Sequence, residues 1–305
     1  MDAIVEKDFW VCWVLKKLFA DPTLHDRLVF KGGTSLSKVY KLIDRFSEDV
    51  DLVLDWRLLG YGSEDDDPQR PASSKTQQDR FNKEINAKAA EHIGGPLLSQ
   101  LESIFASVSG VKVAVDLKDP HCLDVTYPAA FKAAYVLPQV RLEIGPLASW
   151  VPSAPHVIRP YASEVYPEVF HDPDCRLIAI AAERTFWEKV TILHKEAHRA
   201  SPIPARYSRH YYDLFKLAVS PIRSSALGDL KLLEDVVAFK VQFYPSAWAR
   251  YDLARRGSFR IVPKQGQLAA LEDDYRKMAN MLFGEIPTFN TIIRGLTDLE
   301  SELNR

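Results

Sequence analysis

Cysteine is scarce: three residues in 305, at Cys12, Cys122 and Cys175. The number is odd and the spacing fits no metal-ligand pattern, which excludes a disulfide framework and a structural zinc site. A reducing compartment, the cytoplasm, is the expected location. Long apolar runs are also missing, and no stretch approaches the ~18–20 residues of a membrane span. The opening MDAIVEKDFW lacks the basic-then-apolar order of a secretory signal. No Gly-x-x-x-x-Gly-Lys-Ser/Thr loop and no Gly-x-Gly-x-x-Gly turn occurs, which argues against P-loop and Rossmann chemistry. A Gly-x-Ser-x-Gly elbow is absent as well, so a nucleophilic hydrolase is not expected. His194 and His198 are four apart, but Lys195 follows His194 and no third zinc ligand is evident.

What is present is ample core material: 47% apolar and 11% aromatic residues, with 26% charged. That excludes wholesale disorder and suits two lobes. The net charge is −2, but it is unevenly spread. From Asp44 to Asp79 there are 10 acidic and 4 basic residues; from Arg176 to Lys264 there are 16 basic and 8 acidic. An acidic first half and a basic second half suit a metal site together with a polyanion-binding surface.

Residues 3–20 read as an amphipathic helix, with Val5, Phe9, Cys12 and Trp13 at helical spacing. A short strand over 27–30 breaks at Gly32–Gly33, and a helix then runs through Leu36, Val39, Tyr40 and Ile43. Residues 48–55 alternate charged and apolar side chains, as a strand with one buried face does. The polar stretch 57–79 reads as an excursion from the core. Two helical stretches split by Gly94-Gly95-Pro96 follow, then strands over 111–117, 122–127 and 135–144, the middle ones antiparallel. A proline-rich passage, 146–173, precedes helices expected over 175–199, 207–219, 225–241, 267–283 and 289–303. The expected fold is α+β: a mixed sheet with helices over 1–172, then a helical lobe over 173–305.

The segment Lys31–Leu54, KGGTSLSKVYKLIDRFSEDVDLVL, carries the chemistry. Adjacent glycines let the backbone approach a ligand closely. The N–H groups there and at the following helix start suit phosphate oxygens. Asp49 and Asp51 are two apart on a strand and share one sheet face, while Val50, Leu52 and Leu54 turn to the core. Two such carboxylates repel unless a cation neutralises them, and oxygen ligands of this kind suit Mg²⁺ with substrate phosphates. Cradle, helix and Asp-x-Asp strand make a site for a metal–nucleotide complex.

That order resembles the DNA polymerase β-like nucleotidyltransferase superfamily. Within it, Glu6-Lys7-Asp8-Phe9-Trp10, Lys31-Gly32-Gly33-Thr34-Ser35-Leu36 and Arg45-Phe46-Ser47-Glu48-Asp49-Val50-Asp51-Leu52 are similar to the AbiEii-type nucleotidyltransferase toxins. These belong to type IV toxin–antitoxin and abortive-infection systems and include the MenT toxins. Glu183-x-Thr185-Phe186-Trp187-Glu188-Lys189 and Arg209-His210-Tyr211-Tyr212-Asp213 match the same family, so the resemblance spans about 4–218.

The resemblance implies a nucleotidyltransferase using Mg²⁺ or Mn²⁺, with Gly32, Gly33, Thr34 and Ser35 cradling phosphates. A third carboxylate belongs on a neighbouring strand; Glu143 is the choice because it alternates with apolar neighbours, with Asp116 and Asp124 as competitors. Lys189 would grip the triphosphate, with Arg209 and Ser47 also at the nucleotide. Asp213 would be an active-site residue that positions Lys189 or the nucleotide. The implied partners are an NTP, an RNA acceptor (the tRNA 3′ end, with translation blocked) and a cognate antitoxin; a monomer is favoured. Transfer to a protein side chain or small molecule, and a toxin that only binds, are the alternatives.

Two further features stand on the residues themselves. Arg250, Arg255, Arg256, Arg260 and Lys264, interleaved with Tyr251 and Phe259, suit the backbone and bases of RNA. Ser47, two residues before Asp49, is expected on the same face, where a phosphate would add about −2 charge beside the Asp pair.

Overall fold

The strand that carries the Asp pair shows how the sheet is built. In β2 (Asp49–Leu54), Val50, Leu52 and Leu54 are fully buried, whereas Asp49 and Asp51 on the other face are half-buried. The computed structural model describes residues 2–47, 49–62, 67–70, 72, 74–131 and 136–305. Glu48, Tyr135 and residues 63–66, 71 and 73 of the polar stretch lie outside the described residues. The chain divides into two units, Met1–Val39 with Ser47–Ile180, and Tyr40–Phe46 with Ala181–Arg305.

The first unit is a mixed sheet with helices. Helix α1 (Asp2–Ala20) is followed by β1 (Leu28–Lys31), α2 (Gly32–Lys38) and β2. Next come α3 (Lys75–His92) and α4 (Leu98–Phe105), joined by a π turn at Ile93–Leu97. The Gly-Gly-Pro expected to split two helices sits in that wider turn, which has room for a proline inside the helix. Then follow β3 (Lys112–Val115), β4 (Cys122–Thr126), β5 (Gln139–Gly145), β6 (Ser153–Ile158), α5 (Tyr161–Val165) and β7 (Cys175–Ile180). The sheet order is β3-β4-β5-β2-β1-β7-β6. Its β3/β4, β4/β5, β2/β1 and β7/β6 pairs are antiparallel; β5/β2 and β1/β7 are parallel.

Three expectations are corrected here. The helix expected over 175–199 begins as strand β7: Cys-Arg-Leu-Ile-Ala-Ile is too short a run for its period to separate strand from helix, and pairing to β1 and β6 decides it. The proline-rich passage, for which no element was expected, holds β6 and α5. Helix α2 stops at Lys38 instead of reaching Ile43. Lys41 has a positive φ of 52°, which no continuing right-handed helix permits. Lys38 is held instead by Asp8 of α1 (2.7 Å), the Arg159 carbonyl (2.7 Å) and the ring of Tyr161.

The second unit is helical: α6 (Ala182–His198), α7 (Ser208–Ala218), α8 (Ile222–Gly228), α9 (Leu230–Phe243), α10 (Leu268–Lys277) and α11 (Phe289–Leu303). Helix α6 packs against α7, α8 and α9, and its Phe186, Trp187, Val190 and Leu193 are fully buried. Helix α7 also packs on α11, where a Cβ at Gly295 would come within 2.7 Å of the Phe215 ring. Glycine there permits the close approach. Among the described residues, no helix is long and apolar enough to cross a membrane.

Candidate active site

In the first unit, strand register gathers the polar residues. The parallel β2/β5 ladder sets Asp49 beside Arg141 and Asp51 beside Glu143. Ladder partners point to the same face, so Asp49, Asp51, Arg141 and Glu143 share one face, with strands about 4.8 Å apart. The same register puts Lys31 of β1 opposite Asp51, and Cys122 and Asp124 of β4 opposite Glu143 and Arg141. Beneath them Val50, Leu52, Leu142 and Leu123 form the buried face.

Arg141 separates the candidate third carboxylates. Its guanidinium bonds Asp124 at 3.0 and 3.1 Å and Asp116 at 2.6 Å. The Lys118 and Asp119 amides, together with Arg141, hold the Asp116 carboxyl below its ordinary range. Asp116 and Asp124 are thus engaged by a cation; Glu143 is exposed and stands directly beside Asp51 in the ladder.

The glycine turn meets this face at one atom. Gly32 has φ +81°, and a Cβ there would lie 1.9 Å from Asp51 Oδ2. Only glycine fits: its backbone lies against the carboxylate, and any side chain would displace Asp51. Thr34 and Ser35, expected at the phosphates, are buried and turn their hydroxyls inward. Thr34 Oγ1 donates to the Asp49 carbonyl and Ser35 Oγ to the Gly32 carbonyl (2.9 Å). What this turn offers an anion is therefore backbone N–H, because the first turn of a helix lacks intrahelical acceptors. Ser47 is half-buried and precedes β2 outside any ladder, so alternation does not assign it to the Asp face.

Asp49, Asp51 and Glu143 are all oxygen donors on one face, which suits a hard divalent cation such as Mg²⁺ in kind. Among the described residues no three His, Cys, Asp or Glu side chains are gathered tightly enough to hold a metal as they stand. The fit is one of donor type and face.

The second unit holds a separate buried cluster. Asp213 of α7 is fully buried. Arg45 Nε donates to its Oδ1 at 2.7 Å and Arg45 Nη2 to its Oδ2 at 2.9 Å. Lys189 Nζ of α6 donates to the same Oδ2 at 2.8 Å and also bonds His210 Nδ1 at 3.1 Å. Burial would raise the Asp213 pKa, but the charges of Arg45 and Lys189 outweigh it and hold the carboxyl well below the usual range. Burial lowers the Lys189 pKa, Asp213 opposes this and Arg45 adds to it; Nζ and the Asp213 carboxylate form a 2.8 Å ion pair. Burial and Lys189 push His210 well below its ordinary value, so the imidazole is neutral. Sequence reasoning brought Lys189 and Asp213 forward and passed over Arg45 as a partner. Its signal was its place in the Arg45–Leu52 motif. Arg209 is half-buried one residue before His210.

The remaining candidates separate by burial. Phe259, expected to stack on RNA, is buried against Trp187 and His194 and belongs to the core. Arg255, Arg256 and Arg260 are exposed. His194 is a structural histidine: Nδ1 accepts the Arg260 N–H (3.2 Å), leaving Nε2 to donate to the Arg250 carbonyl (3.0 Å).

An acidic strand beside a glycine turn that opens a helix is the equipment of a nucleotidyltransferase. The family model described as "Nucleotidyl transferase AbiEii toxin, Type IV TA system" matches residues 13–295, and the chain belongs to that family. A solved structure, MenT4, a nucleotidyltransferase toxin of Mycobacterium tuberculosis H37Rv, is similar at 20% identity and a TM-score of 0.46, over 99% of this chain and 91% of that one. No curated protein sequence matches. The protein is a toxin-type nucleotidyltransferase with a mixed α+β fold, and its family implies an NTP substrate and an antitoxin partner.

Proposed function

We propose that this enzyme transfers a nucleoside monophosphate from an NTP to an RNA hydroxyl, with the tRNA 3′ end as acceptor, and so blocks translation. The observation that carries the reading is the shared face of Asp49, Asp51 and Glu143 with Gly32 set against Asp51. Asp49, Asp51 and Glu143 would hold Mg²⁺. When bound, the ion would supply charge neutralisation to the triphosphate and the attacking hydroxyl.

The chain's own groups supply the rest. Backbone N–H groups at Gly32–Ser35 orient the phosphates. Arg141 bonds Asp116 and Asp124, and Glu143, beside Asp51 in the ladder, is taken as the third carboxylate. Lys189 stabilises charge on the leaving pyrophosphate as a fixed cation, with Arg209 as a second nucleotide contact. Asp213 acts through Lys189 and Arg45, since both its oxygens are bonded to them. The exposed Arg255, Arg256 and Arg260 give RNA contact an electrostatic character.

The test is incubation with each α-labelled NTP, Mg²⁺ and either total RNA or a protein extract. Label entering RNA, with binding that weakens steeply as salt rises, supports the proposal. Label entering protein only would transfer the reading to a protein side chain.

A further inference from the structure

Lys189 is a buried ammonium, only 7% exposed, with three N–H bonds to place. Two are placed inside the cluster, on Asp213 Oδ2 and on His210 Nδ1. An ammonium can only donate, so Nδ1 is the acceptor, and the imidazole must carry its single hydrogen on Nε2. Two acceptors at fixed positions leave the third N–H with one direction. Removing either acceptor frees the ammonium to turn.

The surroundings hold His210 in that role. Tyr207 packs edge-on against its ring, with centroids 4.9 Å apart at 76°. Asp274 of α10 fixes the start of α7, taking the Arg206 N–H on one oxygen (2.6 Å) and the Ser208 N–H on the other (2.9 Å). The charged groups acting on the imidazole are Lys189 from α6, Arg45 from the 40–46 segment, and Arg209 and Asp213 from α7 itself. Three of those four are cations, so a proton added to His210 would meet Lys189 as a like charge and replace an acceptor by a donor.

We infer that His210 is a positioning residue for nucleotidyl transfer: by accepting one Lys189 N–H at Nδ1, it works with Asp213 to aim the remaining N–H at an oxygen of the triphosphate. This rests on the reading of Lys189 as the cation that stabilises the leaving group. His210 itself touches Lys189 and needs no contact with substrate. Its effect therefore falls on the chemical step, where charge on the leaving group grows, rather than on NTP capture.

Four proteins test it: wild type, His210→Leu, His210→Asn and Lys189→Met, each assayed for kcat and for the KM of the NTP. Leucine removes the acceptor, and a hydrogen bond to a charged group corresponds to a loss of about tenfold or more in kcat with KM little changed. Asparagine places an amide oxygen near the Nδ1 position and should recover most of that loss. In the Lys189→Met background, His210→Leu should have no further effect. Wild type should lose activity on its acid limb as His210 takes up a proton, and the asparagine variant should lack that limb. A fully active Lys189→Met overturns the Lys189 reading. An inactive Lys189→Met beside a fully active His210→Leu overturns the His210 inference alone, as does an asparagine variant no better than leucine. Because leucine could unsettle the fold, nitrogen NMR of the His210 ring in the wild-type protein is the independent check. An unprotonated Nδ1 is expected, and a proton found there would overturn the inference.

Discussion

Asp213 is bonded to two buried cations, so Asp213→Asn should cost more than Lys189→Met. Arg45 and Lys189 are 4% and 7% exposed, and both are bonded to this one carboxylate. Asparagine keeps the shape but takes this charge away from both cations, and its NH₂ group offers a donor where a donor already points. Breaking a buried pair from one side costs about 3–5 kcal/mol, and a loss in that range is expected. Lys189→Met instead leaves the two-bond Arg45–Asp213 pair intact, so its cost should be nearer 1–2 kcal/mol. The double variant removes one of the two cations that the asparagine would face, and should be more stable than Asp213→Asn alone. Asp213's folded pKa lies below its unfolded value, so its contribution is complete above the unfolded pKa and is lost only as pH falls through the folded one. At neutral pH the whole effect is therefore visible. Urea unfolding followed by circular dichroism and tryptophan fluorescence measures it. If Asp213→Asn is no less stable than Lys189→Met, the three-charge account is wrong.

Gly32→Ala should abolish transfer and leave the chain folded by circular dichroism: its Cβ would displace Asp51, and the φ of +81° adds about 1–2 kcal/mol of strain. Undiminished transfer by that variant would separate Gly32 from the site. His194 is lowered from its ordinary value to about 4 by burial, so its contribution is whole above pH 6.5 and lost as pH falls toward 4, up to roughly 3 kcal/mol. Unfolding at pH 7 and pH 4.5 should show a steeper loss for wild type than for His194→Asn, and equal losses would refute the assignment. If charge at Ser47 controls the site, Ser47→Asp should transfer nucleotide and bind the NTP less well than Ser47→Ala; equal behaviour would leave Ser47 a turn residue.

The Asp-x-Asp strand and its glycine turn were legible because their signals are local. Alternation over six residues assigns the face, and Gly-Gly marks the close approach. The antiparallel pairing of β3, β4 and β5 was legible for the same reason. Strand β7 was not, because a short apolar run before a helix takes its identity from β1 and β6, which are distant in sequence. The partnership of Arg45 with Asp213 spans 168 residues, and no local period reports it. Nor does any local feature show that Tyr40–Phe46 groups with helices that begin at Ala182. Phe259 was misread as a surface aromatic because its basic neighbours are exposed while the ring itself packs on Trp187.

The central claim is that Asp49 and Asp51 carry the transfer chemistry, and the most direct measurement compares wild type with Asp49→Ala/Asp51→Ala for label transfer from an α-labelled NTP. Both side chains lie on the half-buried face opposite the core residues Val50 and Leu52, so the variant should unfold at a urea midpoint close to that of wild type. The account predicts a folded protein with no detectable transfer at any Mg²⁺ concentration. Transfer at the wild-type rate by the folded double variant would contradict it.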